Sequence, residues 1–162
     1  MIEKYQFDKE ELPTLPCPHD CVIEKVEINE SFIIFYFDNN ISQYDSIQYL
    51  RPGSESLIIR YHLDDPFFTV YKSISHITRL GKRFGRHGYY EVKNDTLMKQ
   101  VKYNLEFLYQ DASYKSVLIR LYGKSSILIH AWVDYVEYEW IEKSRSQSSQ
   151  SSKGYICGSI SV

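Results

Sequence analysis

Apolar and polar residues alternate along much of the chain, in short runs rich in β-branched and aromatic side chains. This alternation predicts β-strands, because successive side chains of a strand point to opposite faces of a sheet. Three pairs of consecutive runs are separated by Asn-Glu-Ser, Asp-Asp-Pro or Gly-Lys-Ser, and these turn-forming residues predict three hairpins. The runs lie at 22–28, 32–38, 57–63, 67–74, 117–123, 126–133 and 135–141.

The last of these runs divides clearly into two faces. Val136, Tyr138 and Trp140 share one face, whereas the odd-numbered positions between 135 and 139 carry a tyrosine and two glutamates. The sequence therefore predicts a strand with one buried and one exposed face. Residues 89–92, Tyr-Tyr-Glu-Val, predict a further strand.

The segment 96–104 departs from this alternation. Its apolar residues approximate helical spacing, and Asn94 or Asp95 could cap the first turn. We predict a short helix here, with a strand as the alternative. The apolar positions are Leu97, Met98, Val101, Leu105 and Leu108.

Eight or more strands joined in hairpins, with one or two short helices, predict a mainly β fold. The expected architecture is an antiparallel sandwich or a partly closed barrel. We assign residues 1–143 to a single globular domain. Residues 144–153 contain no apolar side chain and predict a mobile linker, because burial cannot offset the entropy of ordering it. The apolar end, 154–162, predicts either a final strand or a short tail.

Composition adds an unusual aromatic content and an uneven distribution of charge. The chain has 162 residues, of which 15 are Tyr, 8 Phe and 2 Trp, and its formal net charge is −2. Residues 1–71 carry five basic and thirteen acidic side chains, whereas residues 72–103 carry eight and two. An even spread of the acids that serves solubility is the preferred interpretation. The alternative is a bipolar surface, whose acidic half would steer a basic partner through Glu24, Glu27 and Glu30.

The chain shows no targeting signal that we recognise. It begins without a basic segment followed by an apolar run, and its apolar stretches are far shorter than a membrane-spanning helix. Three cysteines make no evident disulfide framework. We therefore expect a cytoplasmic protein.

Cys17, His19, Asp20 and Cys21 lie within five positions, just before the first predicted hairpin. This spacing suits neither a structural zinc site, which needs four ligands at paired spacings, nor the usual Cys-x-x-Cys redox pair. We predict that two flanking prolines extend the chain, that Asp20 bonds turn amides and that Cys21 packs as a small hydrophobe. A partner- or ligand-binding role is the alternative. No metal and no cofactor are expected.

His19-Asp20-Cys21 runs into VIEKVEINESFIIFYFDN, and LEFLYQDASYKSVLIRLYG and YVEYEW follow later in the chain. This arrangement, over most of residues 17–141, resembles a group of small uncharacterised bacterial β-rich proteins with an N-terminal His-Asp-Cys hairpin. Asn39 stands where the group usually has glycine after the hairpin aspartate. The resemblance implies a β-rich fold and a role as an immunity protein that neutralises a toxin. It implies no catalytic residues.

A basic segment, Gly-Lys-Arg-Phe-Gly-Arg-His-Gly, occupies residues 81–88. It lacks the Gly-Lys-Ser/Thr ending and the following helix of a phosphate-binding loop, so we predict a flexible loop between strands. Contact with an anionic ligand or nucleic acid is the alternative, which the net acidity of the chain opposes. The candidate contacts are Lys82, Arg83, Arg86, His87, Tyr89 and Tyr90.

No catalytic pattern stands out in the sequence. There is no Gly-x-Ser-x-Gly and no His-Glu-x-x-His. Glu137 and Glu139 would lie about 7 Å apart on one strand face. Paired carboxylates at such separations act in glycosidases, but an exposed solubilising face is the simpler interpretation. We therefore predict no catalytic residues.

We expect a non-enzymatic protein-interaction module of a bacterial cell, of the toxin-neutralising kind that the resemblance implies. The alternative is a β-barrel module for a small apolar or aromatic ligand, and an enzyme has the least support. We expect a protein partner, no membrane and no nucleic acid, and leave homo-oligomerisation open. A filled interior with an exposed tyrosine-rich face would favour the protein partner, whereas a deep closed pocket would favour the ligand.

Overall fold

The fold is described from a computed structural model that covers residues 1–7, 12–73 and 88–142, and the backbone of 77–79 and 82–84. Strands dominate these ranges, as the alternation of the sequence predicted. The strands are β1 (Ile2–Gln6), β2 (Val22–Ile28), β3 (Phe32–Phe37), β4 (Ser54–Ser73), β5 (Ile77–Arg79), β6 (Lys82–Phe84), β7 (Tyr89–Val92), β8 (Leu105–Ser113), β9 (Ser116–Tyr122) and β10 (Ser126–Glu142); the helices are α1 (Asp45–Leu50) and α2 (Asp95–Gln100), with 3₁₀ turns at Ile41–Gln43 and Val101–Tyr103.

Six antiparallel strands form a partly closed ring, in the order β2, β3, β4, β10, β9 and β8. The ring closes weakly, because β2 and β8 pair at Val22 with Glu106 and at Ile23 with Leu105. Outside the ring, β1 adds to β10 and β7 adds to β4, and β5 and β6 form a separate small sheet. The predicted fold class is confirmed, in its form as a partly closed barrel.

The segment that precedes β2 lines the weak side of the ring. The backbone N–H of Asp20 donates to the carbonyl of Phe107 over 2.8 Å, and the N–H of Phe107 donates to the carbonyl of Cys21 over 3.0 Å. The Cys17 thiol lies 3.4 Å from the carbonyl oxygen of Leu108. Residues 17–21, called the cysteine-rich segment below, therefore attach to β8. They supplement the pairing between β2 and β8, which covers only two positions.

The second predicted hairpin is wrong, because β4 continues through Asp64, Asp65 and Pro66 as one strand of 20 residues. Both halves of β4 pair with the same neighbour, β10, which is itself 17 residues long and joins two predicted strands. The Asp65 carboxylate accepts a hydrogen bond of 2.8 Å from the N–H of Phe67. Turn-forming residues therefore make a local irregularity rather than a reversal, since β10 supplies backbone partners to both halves.

Of the other local predictions, some are confirmed and some are wrong. The turn between β2 and β3 forms as expected, with Asn29 Oδ1 accepting from the N–H of Ser31 and of Phe32. The helix near 96–104 also forms, as α2, although Asn94 makes no side-chain capping bond. The basic segment, 81–88, contains strand β6, which pairs with the preceding β5, where a flexible loop was predicted. Leu105 and Leu108, which were counted with the helical positions, lie in strand β8. Strand β1 and helix α1 were not predicted, and residues 144–162 lie outside the described chain.

Side chains fill the interior of the ring. Phe35, Tyr61, Phe107 and Tyr138 are fully buried. The Phe35 ring meets those of Tyr61 and Phe107 edge-on, with centroids 5.8 and 6.2 Å apart, a favoured geometry for aromatic pairs. The predicted division of β10 is confirmed, since its even-numbered positions from 136 to 140 are buried and its odd-numbered positions from 135 to 139 are half-exposed. The sheet's outer surface is therefore where function can be sought.

Candidate functional site

One continuous outer surface spans β7, β4, β10, β9 and β8. Arg120 of β9 pairs with Leu128 of β10 on one side and Tyr109 of β8 on the other, and Leu128 also pairs with Tyr71 of β4. Residues that pair directly across antiparallel strands project to the same side of the sheet. We call this surface the aromatic face; its outward side chains are Tyr71, Tyr89, Tyr109, Leu118, Arg120, Tyr122, Leu128, His130 and Trp132.

Four aromatic rings of this face are substantially exposed. Tyr122 is 50% exposed, Trp132 47%, and Tyr89 and Tyr109 36% each. Single exposed hydrophobic residues are ordinary on a protein surface, but contiguous exposed apolar area usually marks an interaction site. Here the exposed rings lie on one side of neighbouring strands, with Tyr122 and Trp132 at opposite ends of the β9–β10 pairing and Arg120 and Leu128 between them.

Arg120 is held between the rings of this face. Its guanidinium carbon lies 5.3 Å from the ring centroid of Tyr109 and 5.7 Å from that of Tyr89. Its Nη2 donates to the Tyr89 hydroxyl, which in turn lies 3.1 Å from Ser126 Oγ. Contacts between a cation and aromatic faces are attractive, and more so when water is excluded. The guanidinium therefore has a fixed position within the aromatic face.

Arg120 differs from the other arginines whose side chains are described. Arg51 forms an ion pair with Glu3, and Arg60 forms one with Glu139. Within the described ranges Arg120 has no carboxylate partner. Its Nε, like that of Arg51, is buried without a hydrogen-bond acceptor. A buried donor without an acceptor is unfavourable, so the aromatic face contains one unsatisfied polar group.

A second outer cluster joins β1, β3, β4 and β10. His62 Nε2 lies 3.0 Å from Glu137 Oε2, and the His62 ring stacks on Tyr135 with centroids 3.8 Å apart. Lys4 Nζ lies 3.3 Å from the Tyr135 centroid, and Phe32 meets His62 edge-on. These contacts hold the four strands together.

Glu137 and Glu139, which the sequence analysis considered as a carboxylate pair, each contact a basic side chain. Glu137 contacts His62, and Glu139 contacts Arg60. Each carboxylate therefore has its own partner on β4, which fits a stabilising role on the sheet surface.

The cysteine-rich segment borders a shallow depression of about 360 Å³. His19 Nδ1 lies 2.9 Å from Asp20 Oδ2, so this carboxylate contacts the neighbouring imidazole. The sequence had predicted contacts with turn amides instead. Ser46 Oγ donates to the backbone carbonyl of His19 over 2.8 Å and not to its ring. A serine–histidine nucleophile pair is therefore not assembled here. The lining residues are His19, Asp20, Gln43, Tyr44, Asp45 and Ser46.

Both thiols of this segment are protonated near neutral pH. Burial raises the pKa of Cys17 to about 11 and that of Cys21 to about 12, and only the thiolate is a good nucleophile or metal ligand. Cys21 is fully buried, as predicted for a small packing residue. Among the residues that the structure describes, no three His, Cys, Asp or Glu side chains are grouped so that they could hold a metal ion.

The candidate glutamates lie on the β2–β3 hairpin, which contributes no strand to the aromatic face. Glu24 and Glu30 are exposed on β2 and in the turn that follows it. Glu27 is engaged, since it pairs with Lys25 and accepts a hydrogen bond of 3.0 Å from the Tyr36 hydroxyl. This hairpin flanks the first half of β4, whereas β7 flanks the second half.

The candidate contacts in and beside the basic segment do not share one surface. Tyr89 is part of the aromatic face, whereas Tyr90 pairs with Lys72 and projects to the other side of β7. Lys82 and Arg83 lie in β6, where only the backbone is described. The remaining two candidates, Arg86 and His87, lie outside the described residues.

Sequence reasoning missed most of the aromatic face. Its members come from three separate segments of the sequence, and nothing local marks them as a group; they include Tyr109, Arg120, Tyr122 and Trp132. The one available signal was alternation, which places Arg120 and Tyr122 on the same face of their strand. Which strands would lie beside them depended on the sheet order.

Comparisons with known proteins add no relative. No protein-family model matches the chain, no curated protein matches it, and no solved structure matches its fold. Of the helices in the described ranges, none has the length and apolar character needed to cross a membrane.

Proposed function

We propose that this chain is a non-enzymatic protein-interaction module that binds another protein through the aromatic face. The observation that carries the proposal is the contiguous exposed surface of tyrosine, tryptophan and leucine side chains around Arg120. Tyrosine, tryptophan and arginine are the residues most enriched at the energetic centres of protein interfaces. Tyrosine also covers a large area at small entropic cost.

The filled interior supports this function over the binding of a small apolar ligand. Such ligands need an enclosed pocket with a few convergent polar groups, whereas the ring interior is packed with fully buried side chains such as Tyr61 and Phe107. The depression near His19 is lined mainly by polar side chains. The aromatic face therefore remains the better candidate for recognition.

The proposal extends to a bacterial, cytoplasmic setting in which the partner is a toxin. Its support is the resemblance of residues 17–141 to suspected immunity proteins, carried by His19-Asp20-Cys21 and the two later strand segments. An immunity protein needs no catalytic group, because occupying a toxin's surface is sufficient to block it.

Affinity capture with matched variants tests the proposal. The wild type, a Tyr122→Ser/Trp132→Ser variant and a Tyr49→Ser control would each be incubated with a lysate of the source organism. Tyr49 suits the control because it is 89% exposed and lies on α1, away from the aromatic face. Every retained protein would be identified, purified and tested for direct binding.

We expect a partner that the wild type and the control retain and that the face variant releases, with affinity reduced at least about tenfold. Expressed alone, this partner should arrest bacterial growth, and co-expression of the wild type but not of the face variant should restore it. A purified partner that binds all three proteins equally would refute the role of the aromatic face. A partner that has no effect on growth would refute the toxin-neutralising role alone.

A further inference from the structure

We propose that the partner places a single aspartate or glutamate carboxylate on the guanidinium of Arg120, surrounded by apolar side chains that cover the neighbouring rings. This inference rests on the proposed function and specifies the chemistry of the same surface. It follows from three observations: the unsatisfied donors of Arg120, the rings that surround it, and the charges at the edge of the face.

The donors of Arg120 match a carboxylate. A guanidinium carries five N–H groups in a planar fork that bonds a carboxylate through two parallel hydrogen bonds. One donor of Arg120 is used by the Tyr89 hydroxyl, and Nε is buried without an acceptor. A carboxylate from outside would bond the remaining Nη donors, as Glu3 and Glu139 bond Nη2 of Arg51 and of Arg60.

The surrounding rings prepare this interaction. Tyr89 and Tyr109 fix the guanidinium from two directions, so little side-chain entropy is lost when a carboxylate binds. An apolar partner surface on Leu128, Tyr122 and these rings would exclude water. Charge-assisted hydrogen bonds strengthen when the local dielectric falls.

The edge charges favour one carboxylate over a polyanion. Glu91 of β7, Glu106 of β8 and Asp111 of β8 pair with outward residues of the aromatic face and therefore project from the same side of the sheet. A nucleic-acid backbone carries closely spaced phosphates, and these three carboxylates would repel it. A single carboxylate carries one charge, which the guanidinium of Arg120 offsets, so it meets less repulsion than a polyanion.

The test uses two short peptides and the full-length chain. Acetyl-Trp-Glu-Trp-amide and acetyl-Trp-Gln-Trp-amide differ only in the central charge, and a ten-residue thymidine oligonucleotide tests a polyanion. NMR would follow the side-chain Nε–Hε signal of Arg120, assigned by its loss in Arg120→Lys, together with the backbone signals of the aromatic face. Arg120→Gln removes the fork, and Lys93→Gln removes one exposed positive charge outside the face as a matched control.

We expect the glutamate peptide to shift the Arg120 Nε–Hε signal and to bind about tenfold more tightly than the glutamine peptide. The preference should vanish in Arg120→Gln and persist in Lys93→Gln. Equal binding of both peptides at the face would overturn the carboxylate inference and leave the proposed function intact. Tighter binding of the oligonucleotide would overturn it in favour of a nucleic acid.

Three further outcomes would also count against the inference. If neither peptide perturbs the face, both the inference and the proposed binding surface lose their support. Concentration-dependent shifts at the face without peptide would identify a second copy of this chain as the occupant. Shifts at the face on deleting residues 144–162 would instead identify the chain's own C-terminal segment.

Discussion

The side-chain amide of Gln110 donates a hydrogen bond of 2.8 Å to the carbonyl of Pro16, and so ties β8 to the segment that precedes β2. The same side chain lies between two buried phenols: its Oε1 accepts from the Tyr61 hydroxyl, and its Nε2 donates to the Tyr138 hydroxyl. Burial raises the pKa of both tyrosines. One glutamine therefore satisfies polar groups from three parts of the fold.

Replacing this glutamine should destabilise the protein strongly. Gln110→Leu leaves the hydroxyls of Tyr61 and Tyr138 buried without this partner, and we expect a loss of about 2–4 kcal/mol in the free energy of unfolding. Urea denaturation measures it. Gln43→Leu, at an exposed glutamine, is the control and should change stability by less than about 0.5 kcal/mol. A loss below about 1 kcal/mol for Gln110→Leu would show that the network is not stabilising.

Stability should fall as the pH rises above about 9. The pKa of the Cys17 and Cys21 thiols is raised by burial to about 11 and about 12 in the folded chain, whereas an unfolded thiol ionises near 8.5. Between these values the folded state binds more protons than the unfolded state, so the free energy of unfolding decreases with pH. The buried tyrosines act in the same direction at higher pH. Urea denaturation from pH 7 to 11 measures this slope.

The same thiols should react slowly with alkylating reagents at neutral pH. In a Cys157→Ser background, iodoacetamide should modify Cys17 and Cys21 far more slowly than a free cysteine at pH 8, because only the thiolate reacts. Unfolding in urea should restore the ordinary rate. Rapid modification of the folded protein would contradict the protonated, buried state of these side chains.

The Ser-rich segment should be dispensable for folding. Deleting residues 144–162 is expected to change stability little, because ten consecutive polar residues can bury almost nothing. Thermal and urea denaturation of the shortened chain measure it, with the full chain as reference. A loss of more than about 2 kcal/mol would show that the apolar end, 154–162, is an integral strand.

The acidic hairpin should affect the rate of association rather than the rate of dissociation. Neutralising Glu24, Glu27 and Glu30 to glutamine is expected to slow binding of a captured basic partner at low salt, with dissociation nearly unchanged. Glu24 and Glu30 should account for most of the effect, because Glu27 is already paired with Lys25. Stopped-flow measurements at two ionic strengths test this. Association that depends on neither salt nor these glutamates would exclude electrostatic steering by this hairpin.

The cysteine-rich segment should bind no structural metal. Purified, untagged protein is expected to contain substoichiometric zinc, and a chelator should leave its melting temperature unchanged, because the spacing of Cys17, His19 and Cys21 does not suit a structural zinc site and no three potential ligands are grouped among the described residues. Elemental analysis measures the zinc content per chain. One tightly bound zinc per chain that is lost in Cys17→Ser or Cys21→Ser would contradict the prediction.

Local sequence determined most of the individual strands. Alternation set the range of β3, whose buried Ile33, Phe35 and Phe37 lie between half-exposed residues, and it divided β10 into its two faces. Asn29 determined the first turn through its own side chain. These features depend on contacts within a few residues, so they can be inferred from short stretches of the chain.

The sheet order decided what the local pattern left open. Asp64, Asp65 and Pro66 are typical of a turn, yet β10 pairs with both sides of them and keeps β4 continuous. The aromatic face has the same origin, because Arg120, Tyr89 and Tyr109 come from three strands separated in sequence. Short stretches of sequence therefore determined the strands and their faces. Only the tertiary structure decided which faces adjoin, because long-range backbone pairing depends on all the strands at once.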